Sequence, residues 1–150
     1  MTKDVALIVG GGPGISASCA RLFAKSGMQV AIAARTPDKP VLQNLERMHG
    51  VRRYACDASE PAAVELLFQN VVRDLGAPRL VVHNIDGRVA GIFRKGITEA
   101  DASMALETLR NSAFSAFLVG QQAARLMREN EPSANGARGT IIFTNASAAL

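Results

Sequence analysis

The chain alternates short apolar runs with segments in which apolar residues recur at helical spacing. Val5–Val9 is a continuous apolar run, as expected of a parallel strand that is buried on both faces. The same reasoning predicts four further strands, at residues 29–33, 52–55, 80–83 and 140–144. Strands that alternate with helices in this way are typical of an α/β fold with a doubly wound parallel sheet.

Four helices are expected between these strands. In the first, which ends at Gly27, the apolar residues at helical spacing are Ile15, Cys19, Leu22 and Phe23. The second starts near Asp38 and Pro40, ends at Gly50, and turns inward Leu42, Leu45 and Met48. The third opens at Pro61 with one apolar stripe, which consists of Val64, Leu67, Phe68, Val71 and Leu75.

The fourth helix is the longest. Thr98 and Asp101 resemble a capping box in front of a helix that reaches about Glu129. No repeat or linker divides the chain, so residues 1–150 are expected to form one domain. The strand at 140–144 lacks a closing helix and would leave an open sheet edge, which predicts a domain that is incomplete at its C-terminus.

Composition narrows the class of protein. Of 150 residues, 48% are hydrophobic and 20% are charged, which is typical of a globular domain. The net charge of +4 is spread along the chain, so nucleic acid is not the expected partner, although an anionic ligand would suit it. Cys19 and Cys56 have no paired spacing and are expected to be free thiols. Val5–Val9 is too short for a signal peptide or a membrane span, so a cytoplasmic location without a membrane partner is predicted.

A glycine loop follows the first strand. Five of the six residues from position 10 to position 15 are Gly or Pro, in the order Gly10, Gly11, Gly12, Pro13 and Gly14. Glycine lets a ligand approach the backbone closely, and the N–H groups of the next helix can bind a pyrophosphate. The alternative is a tight strand–helix turn that binds nothing.

The end of the second strand lacks an expected acid. An NAD site usually places Asp or Glu there to bind the ribose 2′-hydroxyl, but here the residue is Arg35. A guanidinium can pair with a 2′-phosphate, so NADP is predicted over NAD. A surface arginine at a strand end is the alternative. The missing acid also argues against a flavoprotein.

The spacing Gly10-x-x-x-Gly14-Ile15-Ser16 resembles the T-G-x-x-x-G-I-G fingerprint of the short-chain dehydrogenase/reductase family. Val9 and Ser16 differ from it, and Ser16 would add a hydroxyl near the phosphate path. The resemblance implies a Rossmann-type fold. It also implies cofactor contacts at Gly10, Gly12, Gly14 and Ile15.

Four further segments resemble motifs of that family in the right order. Asp57 matches an aspartate that contacts adenine. Asn84 matches part of N-N-A-G, in which Asp86 replaces the glycine, and is expected to bind the cofactor. The resemblance implies that Asn111 and Ser147 are the active-site asparagine and serine. Asp57 could instead be a turn residue or helix cap, Asn84 a link between loops, and Ser147 an ordinary turn residue.

The resemblance implies hydride transfer between NADP(H) and a small carbonyl or alcohol substrate. The family's acid–base Tyr-x-x-x-Lys is absent, because the single tyrosine, Tyr54, is followed four residues later by Ala58. The pair is therefore expected beyond residue 150. A noncatalytic NAD(P)-binding module or inactive homologue is the alternative.

Two expectations concern partners. His49 and His83 are interpreted as structural, and no cluster of residues predicts a metal site. Family members commonly pair through the long helix, which predicts a homo-oligomer formed by the helix that contains Asn111. The apolar residues Phe114, Phe117 and Leu118 on that helix are interpreted as core or interface.

Overall fold

A computed structural model of the chain describes residues 3–92 and 96–145. One parallel sheet contains five strands: β1 (Val5–Val9), β2 (Gln29–Ala34), β3 (Arg52–Ala55), β4 (Pro78–His83) and β5 (Thr140–Phe143). Their order is β3-β2-β1-β4-β5, so the winding direction reverses between β1 and β4. This arrangement confirms the predicted doubly wound, Rossmann-type α/β fold.

Helices cover both faces of this sheet. They are α1 (Ile15–Lys25), α2 (Pro40–His49), α3 (Pro61–Asp74), α4 (Ala102–Leu109) and α5 (Ser115–Met127). One part of the core joins the sheet to α1 and α2, and the other joins it to α3 and α5. No helix within the described ranges is long and apolar enough to cross a membrane. Cys19 and Cys56 are free thiols, as predicted.

The apolar stripe predicted for α3 is confirmed, whereas those predicted for α1 and α2 are wrong in part. The residues predicted for α3 are all buried or pack against the core, which confirms that stripe. The stripe for α1 was wrong at Ile15 and Leu22, which are more than half exposed, and Met48 of α2 is exposed too. The buried face of α1 carries small residues, namely Ser16, Ala17 and Ala20, which let the helix lie close to the sheet.

The long helix begins later than predicted and is interrupted. Asp101, rather than Thr98, caps it, because Asp101 Oδ1 accepts a hydrogen bond of 2.7 Å from the Ser103 backbone N–H. A π-helical turn at Arg110–Phe114 then separates α4 from α5, and α5 ends at Met127. The side chain of Ser115 hydrogen bonds to the carbonyls of Asn111 and Ser112 in this turn.

The carboxyl ends of the strands meet at one edge of the sheet. Val9 of β1 is in register with Ala33 of β2 and with His83 of β4, and His83 is in register with Phe143 of β5. The loops that follow these strands therefore converge above β1 and β4, where the winding reverses. In doubly wound sheets this is the position at which ligands bind.

Candidate functional site

A cavity of about 330 Å³ lies at this edge of the sheet. Its wall includes five of the residues predicted for the site: Gly10, Arg35, Asp57, Asn84 and Asn111. Gly12, Gly14 and Ile15 do not line it, although they belong to the adjoining loop and helix start. Ser147 lies outside the described residues. The fold thus brings together residues that lie as far apart in the sequence as Gly10 and Asn111.

Gly10 is required by the protein's own backbone. Its φ is +106°, and a Cβ at this position would overlap the carbonyl oxygen of Asn84. The backbone N–H groups of Gly10 and Gly11 both donate to the carbonyl of Ala33, at 2.9 and 2.8 Å. The first glycine therefore allows β1, β2 and the loop after β4 to approach one another closely.

Gly12 and Gly14 have a different setting. Apart from its own neighbours in the chain, no atom of the described residues lies within 4 Å of where a Cβ would stand at either position. Gly14 also forms the N-cap of α1, and no side chain in the described part of the chain caps the first N–H groups of that helix. The backbone here leaves space and donors for an anionic ligand, which packing within the described protein does not use.

Ser16 points into the protein, which corrects the prediction of a hydroxyl near the phosphate path. Its side chain is fully buried, donates to the Gly10 carbonyl at 2.7 Å and accepts from Asn84 Nδ2 at 2.8 Å. Asn84 Oδ1 in turn accepts from Thr144 Oγ1 at 2.8 Å. Asn84 therefore links the glycine loop to the end of β5 while it also lines the cavity.

Two cations line the cavity beyond β2. Arg35 is exposed and makes no hydrogen bond or ion pair within the described part of the chain. Lys39 Nζ donates to the Gly11 carbonyl at 3.3 Å, across the opening between the two loops. Sequence reasoning missed Lys39, although a second cation four residues after Arg35 was a visible signal.

Asp57 is ionised on the wall of the cavity. Its Oδ1 accepts hydrogen bonds from the Ser59 hydroxyl at 2.7 Å and from the Ser59 backbone N–H at 3.0 Å. These bonds lower the pKa of the carboxyl, and the charges of Arg35 and Arg110 lower it further. Glu60, not Asp57, is the N-cap of α3, so the helix-cap interpretation is wrong and the turn interpretation fits.

Asp86, in the place of the motif's glycine, is turned toward Arg88. Arg88 Nε donates to Asp86 Oδ1 at 2.6 Å and Nη2 pairs with Oδ2, and these bonds lower the pKa of Asp86. The close approach that a glycine permits occurs one residue later. A Cβ at Gly87 would lie 2.6 Å from the Asn111 carbonyl carbon, so this loop contacts the π-helical turn directly.

Asn111 enters the cavity from the π-helical turn. Its side-chain amide makes no hydrogen bond with any residue that the structure describes, which leaves it available to a ligand. Below it, buried His83 Nε2 lies 2.8 Å from Ser115 Oγ, and Ser115 donates to the Asn111 carbonyl at 2.8 Å. Burial lowers the pKa of His83, so the imidazole is neutral at physiological pH. π-Helical turns within α-helices, such as the one that carries Asn111, are frequent at functional sites.

A family model described as enoyl-(acyl carrier protein) reductase, one of the short-chain dehydrogenase/reductase models, matches residues 10–150. The chain belongs to the short-chain dehydrogenase/reductase family. Uncharacterised oxidoreductases of Mycobacterium bovis and Mycobacterium tuberculosis are 33% identical over 91 residues, which cover 53% of this chain and 25% of theirs.

Solved short-chain dehydrogenase/reductase structures share the fold. One from Mycobacterium marinum has a TM-score of 0.82 at 25% identity, covering 97% of this chain and 56% of that one. A short-chain dehydrogenase from Burkholderia cenocepacia in complex with NADP has a TM-score of 0.81 at 22% identity, covering 99% and 57%. The chain therefore spans little more than half of these relatives' length.

The short-chain dehydrogenase/reductase fold of this chain contains polar residues that sequence reasoning did not assign to the site. Thr144 donates a hydrogen bond to Asn84, and Ser115 donates one to the π-helical turn that carries Asn111. Neither position has a signal in a single sequence, because an isolated Ser or Thr occurs in many roles. Among residues 3–92 and 96–145, no group of three His, Cys, Asp or Glu residues is placed to hold a metal.

Proposed function

We propose that this chain binds NADP(H) in the cavity at the edge of the sheet, as part of an oxidoreductase that acts on a carbonyl or alcohol. One observation carries the proposal. The cavity joins a glycine loop to a strand end at which Arg35 stands in place of the acid that would bind a 2′-hydroxyl.

The residues of the cavity and of the adjoining glycine loop suit the parts of a dinucleotide. The open positions at Gly12 and Gly14 and the first turn of α1 would hold the pyrophosphate. Arg35 would pair with the 2′-phosphate, and ionised Asp57 would accept hydrogen bonds from the adenine. Asn111 lines the cavity beside the loop after β4, whereas Arg35 follows β2, and the substrate would react next to Asn111.

In the proposed reaction, the cofactor and the protein would have different roles. A bound nicotinamide supplies or accepts the hydride. The protein orients the two reactants and excludes water, since the cavity is backed by buried strand ends. Asn111 and Ser147 would hold polar atoms of the substrate or of a bridging water. The neighbour from Burkholderia cenocepacia, whose structure contains NADP, supports the choice of cofactor by its similar fold.

The cofactor proposal is tested by isothermal titration of the protein with NADP⁺ and NAD⁺. We expect NADP⁺ to bind more tightly, and Arg35→Asp to reverse the preference, because a carboxylate repels the phosphate and accepts from a 2′-hydroxyl. Arg125→Asp, which makes the same charge change outside the cavity, should leave the preference as it is. An unchanged preference in Arg35→Asp would contradict the assignment of Arg35.

The reaction is tested by following oxidation of NADPH with two panels of substrates in the intact protein. One panel contains aldehydes and ketones, and the other contains enoyl thioesters, because the family description names an enoyl reductase. We expect turnover with carbonyl compounds. Turnover of enoyl thioesters alone would move the assignment to reduction of a carbon–carbon double bond. Tight NADPH binding with no turnover would favour the noncatalytic module.

We further propose self-association through the helix that contains Asn111, in the cytoplasm. Phe114 and Phe117 are exposed on it, with ring centroids 6.4 Å apart, while Leu118 belongs to the core. Light scattering after size exclusion should give a mass above that of one chain. Phe117→Ser should lower the mass, whereas Met48→Ser, at an exposed apolar residue of α2, should not.

A further inference from the structure

The loop between β2 and α2 carries a second cation that the cofactor proposal has not used. Lys39 lines the cavity with Arg35, four residues away on the same loop. Its Nζ is 3.3 Å from the carbonyl oxygen of Gly11, which places the ammonium between this loop and the glycine loop. Among the described residues, the only hydrogen-bond partner of the Lys39 ammonium group is thus a neutral carbonyl.

Arg53, on the edge strand β3, holds this loop in place. Its Nη1 donates to the Pro37 carbonyl at 3.0 Å and to Asp38 Oδ1 at 2.8 Å. Its Nε and Nη2 donate to Glu46 Oε2 of α2, at 2.9 and 2.7 Å. The Arg53 side chain is only 19% exposed, so one planar guanidinium joins the strand, the loop and the helix.

The acidic groups of the cavity already have partners. Asp57 accepts two hydrogen bonds from Ser59, and Asp86 is paired with Arg88. Arg110, whose charge reaches Asp57, is paired with Glu60 at 2.6 Å. The two cations of the described wall, Arg35 and Lys39, form no ion pair, and they lie on one loop at one end of the cavity.

We propose that Lys39 binds the 2′-phosphate of the cofactor together with Arg35, and that Arg53 is the positioning residue that presents Lys39. This inference rests on the proposed function, since it names a further residue that determines the specificity of the same site. A phosphate oxygen that carries charge is a stronger partner for an ammonium than a backbone carbonyl. On binding, Lys39 exchanges the Gly11 carbonyl for the phosphate and keeps its place between the two loops.

The test uses two small probes that differ only in this phosphate, 5′-AMP and 2′,5′-ADP, titrated calorimetrically into the full chain. The quantity compared is the ratio of their Kd values, because damage to the fold weakens both and leaves the ratio alone. We expect Lys39→Gln to lower the preference for 2′,5′-ADP by about tenfold, as for the loss of one charge-assisted hydrogen bond.

Arg53 has a matched control on the same strand. Arg52, its neighbour, pairs with Asp74 on α3 at 3.6 Å and does not line the cavity. Arg53→Gln should lower the ratio, whereas Arg52→Gln should not. Arg53→Lys should not restore it, because one ammonium cannot bridge the carbonyl and the two carboxylates. If Arg53→Gln does not fold, Asp38→Asn removes one anchor of the loop at an exposed carboxylate and should lower the ratio as well.

The two proposals fail in different ways. If the unaltered protein binds both probes equally, the preference for a 2′-phosphate is wrong. If it prefers 2′,5′-ADP and Lys39→Gln retains that preference, Lys39 has no part in it. If Lys39→Gln lowers the ratio but Arg53→Gln and Asp38→Asn do not, Lys39 binds the phosphate and the positioning role of Arg53 is wrong.

Discussion

Asn84 donates a hydrogen bond of 2.8 Å from Nδ2 to the hydroxyl of Ser16, and so joins the end of β4 to the first turn of α1. The Ser16 hydroxyl donates a hydrogen bond to the Gly10 carbonyl, and Asn84 Oδ1 accepts one from Thr144 Oγ1. The loops after β1, β4 and β5 are thus connected by side chains beneath the cavity. The glycine loop is supported from below as well as shaped by its own residues.

Ser16→Ala should destabilise the protein by about 1–3 kcal/mol, because it removes a fully buried hydroxyl and leaves the Asn84 amide and the Gly10 carbonyl without their partner. Urea unfolding measures this change in free energy. Ser26→Ala is the control, since that hydroxyl also donates to a backbone carbonyl but is exposed, and it should change stability by less than about 0.5 kcal/mol. Equal effects of the two variants would show that the Ser16 network contributes nothing.

Gly10→Ala and Gly12→Ala should affect different properties. Gly10→Ala should cost about 3 kcal/mol or more of stability, because φ is +106° and the Cβ overlaps the Asn84 carbonyl. Gly12→Ala should leave the unfolding midpoint nearly unchanged, because the space around it is open, but should weaken NADP⁺ binding. Thermal melts without ligand and NADP⁺ titrations separate the two. Strong destabilisation by Gly12→Ala would contradict this assignment of roles.

The stability of the fold should depend on the protonation of His83. Burial lowers the pKa of His83 from 6.5 in the native state, so below pH 6.5 the unfolded chain binds a proton that the folded chain does not. The free energy of unfolding should therefore fall between pH 7 and the lowered pKa, by up to about 1.4 kcal/mol per pH unit.

His83→Gln keeps a donor near the Nε2 position and removes this titration. Urea unfolding at a series of pH values should give a flatter profile for His83→Gln than for the unaltered protein, while His49→Gln on the surface should retain the slope. The pKa values of three carboxylates are also lowered, namely those of Asp57, Asp74 and Asp86. Their contribution to the stability of the fold is therefore lost only in more acidic solution than that of His83. Identical profiles for His83→Gln and the unaltered protein would exclude His83 as the source.

Cys56 should be unreactive in the native protein. Burial raises the pKa of its thiol to about 11, so at pH 8 about one molecule in a thousand carries the reactive thiolate. In the Cys19→Ser variant, a maleimide should label no thiol without denaturant and one thiol in urea, as counted by mass spectrometry. Rapid labelling of native Cys19→Ser would show that the cavity wall opens near β3.

The strands and the general position of the site could be predicted because they depend on local pattern. Val5–Val9 and Arg52–Ala55 have the expected bounds, and the others differ by one or two residues at an end. The carboxyl ends of parallel strands share an edge, so Gly10, Asn84 and Arg35 had to lie near one another. Their convergence follows from the alternation of strands and helices alone.

The remainder depends on contacts between distant residues. The direction of the Ser16 hydroxyl is set by Asn84, which lies 68 positions away. Arg53, on β3, donates a hydrogen bond to Pro37 in the loop before Lys39, 16 positions away. The interruption at Arg110–Phe114 carries neither Pro nor Gly, the usual signals of a break, and is stabilised by Ser115. None of these relationships has a local signature.

The π-helical turn also fixes an angle. A π-helical turn contains one residue more than an α-helical turn, and each residue of an α-helix advances about 100° around the axis. If one residue were removed here, α4 and α5 would join as a single regular helix, rotated by that amount on one side of the join. The residues on that side of the join would then face a different direction without any change in their identity. The number of residues in this turn therefore sets the rotation of α4 relative to α5.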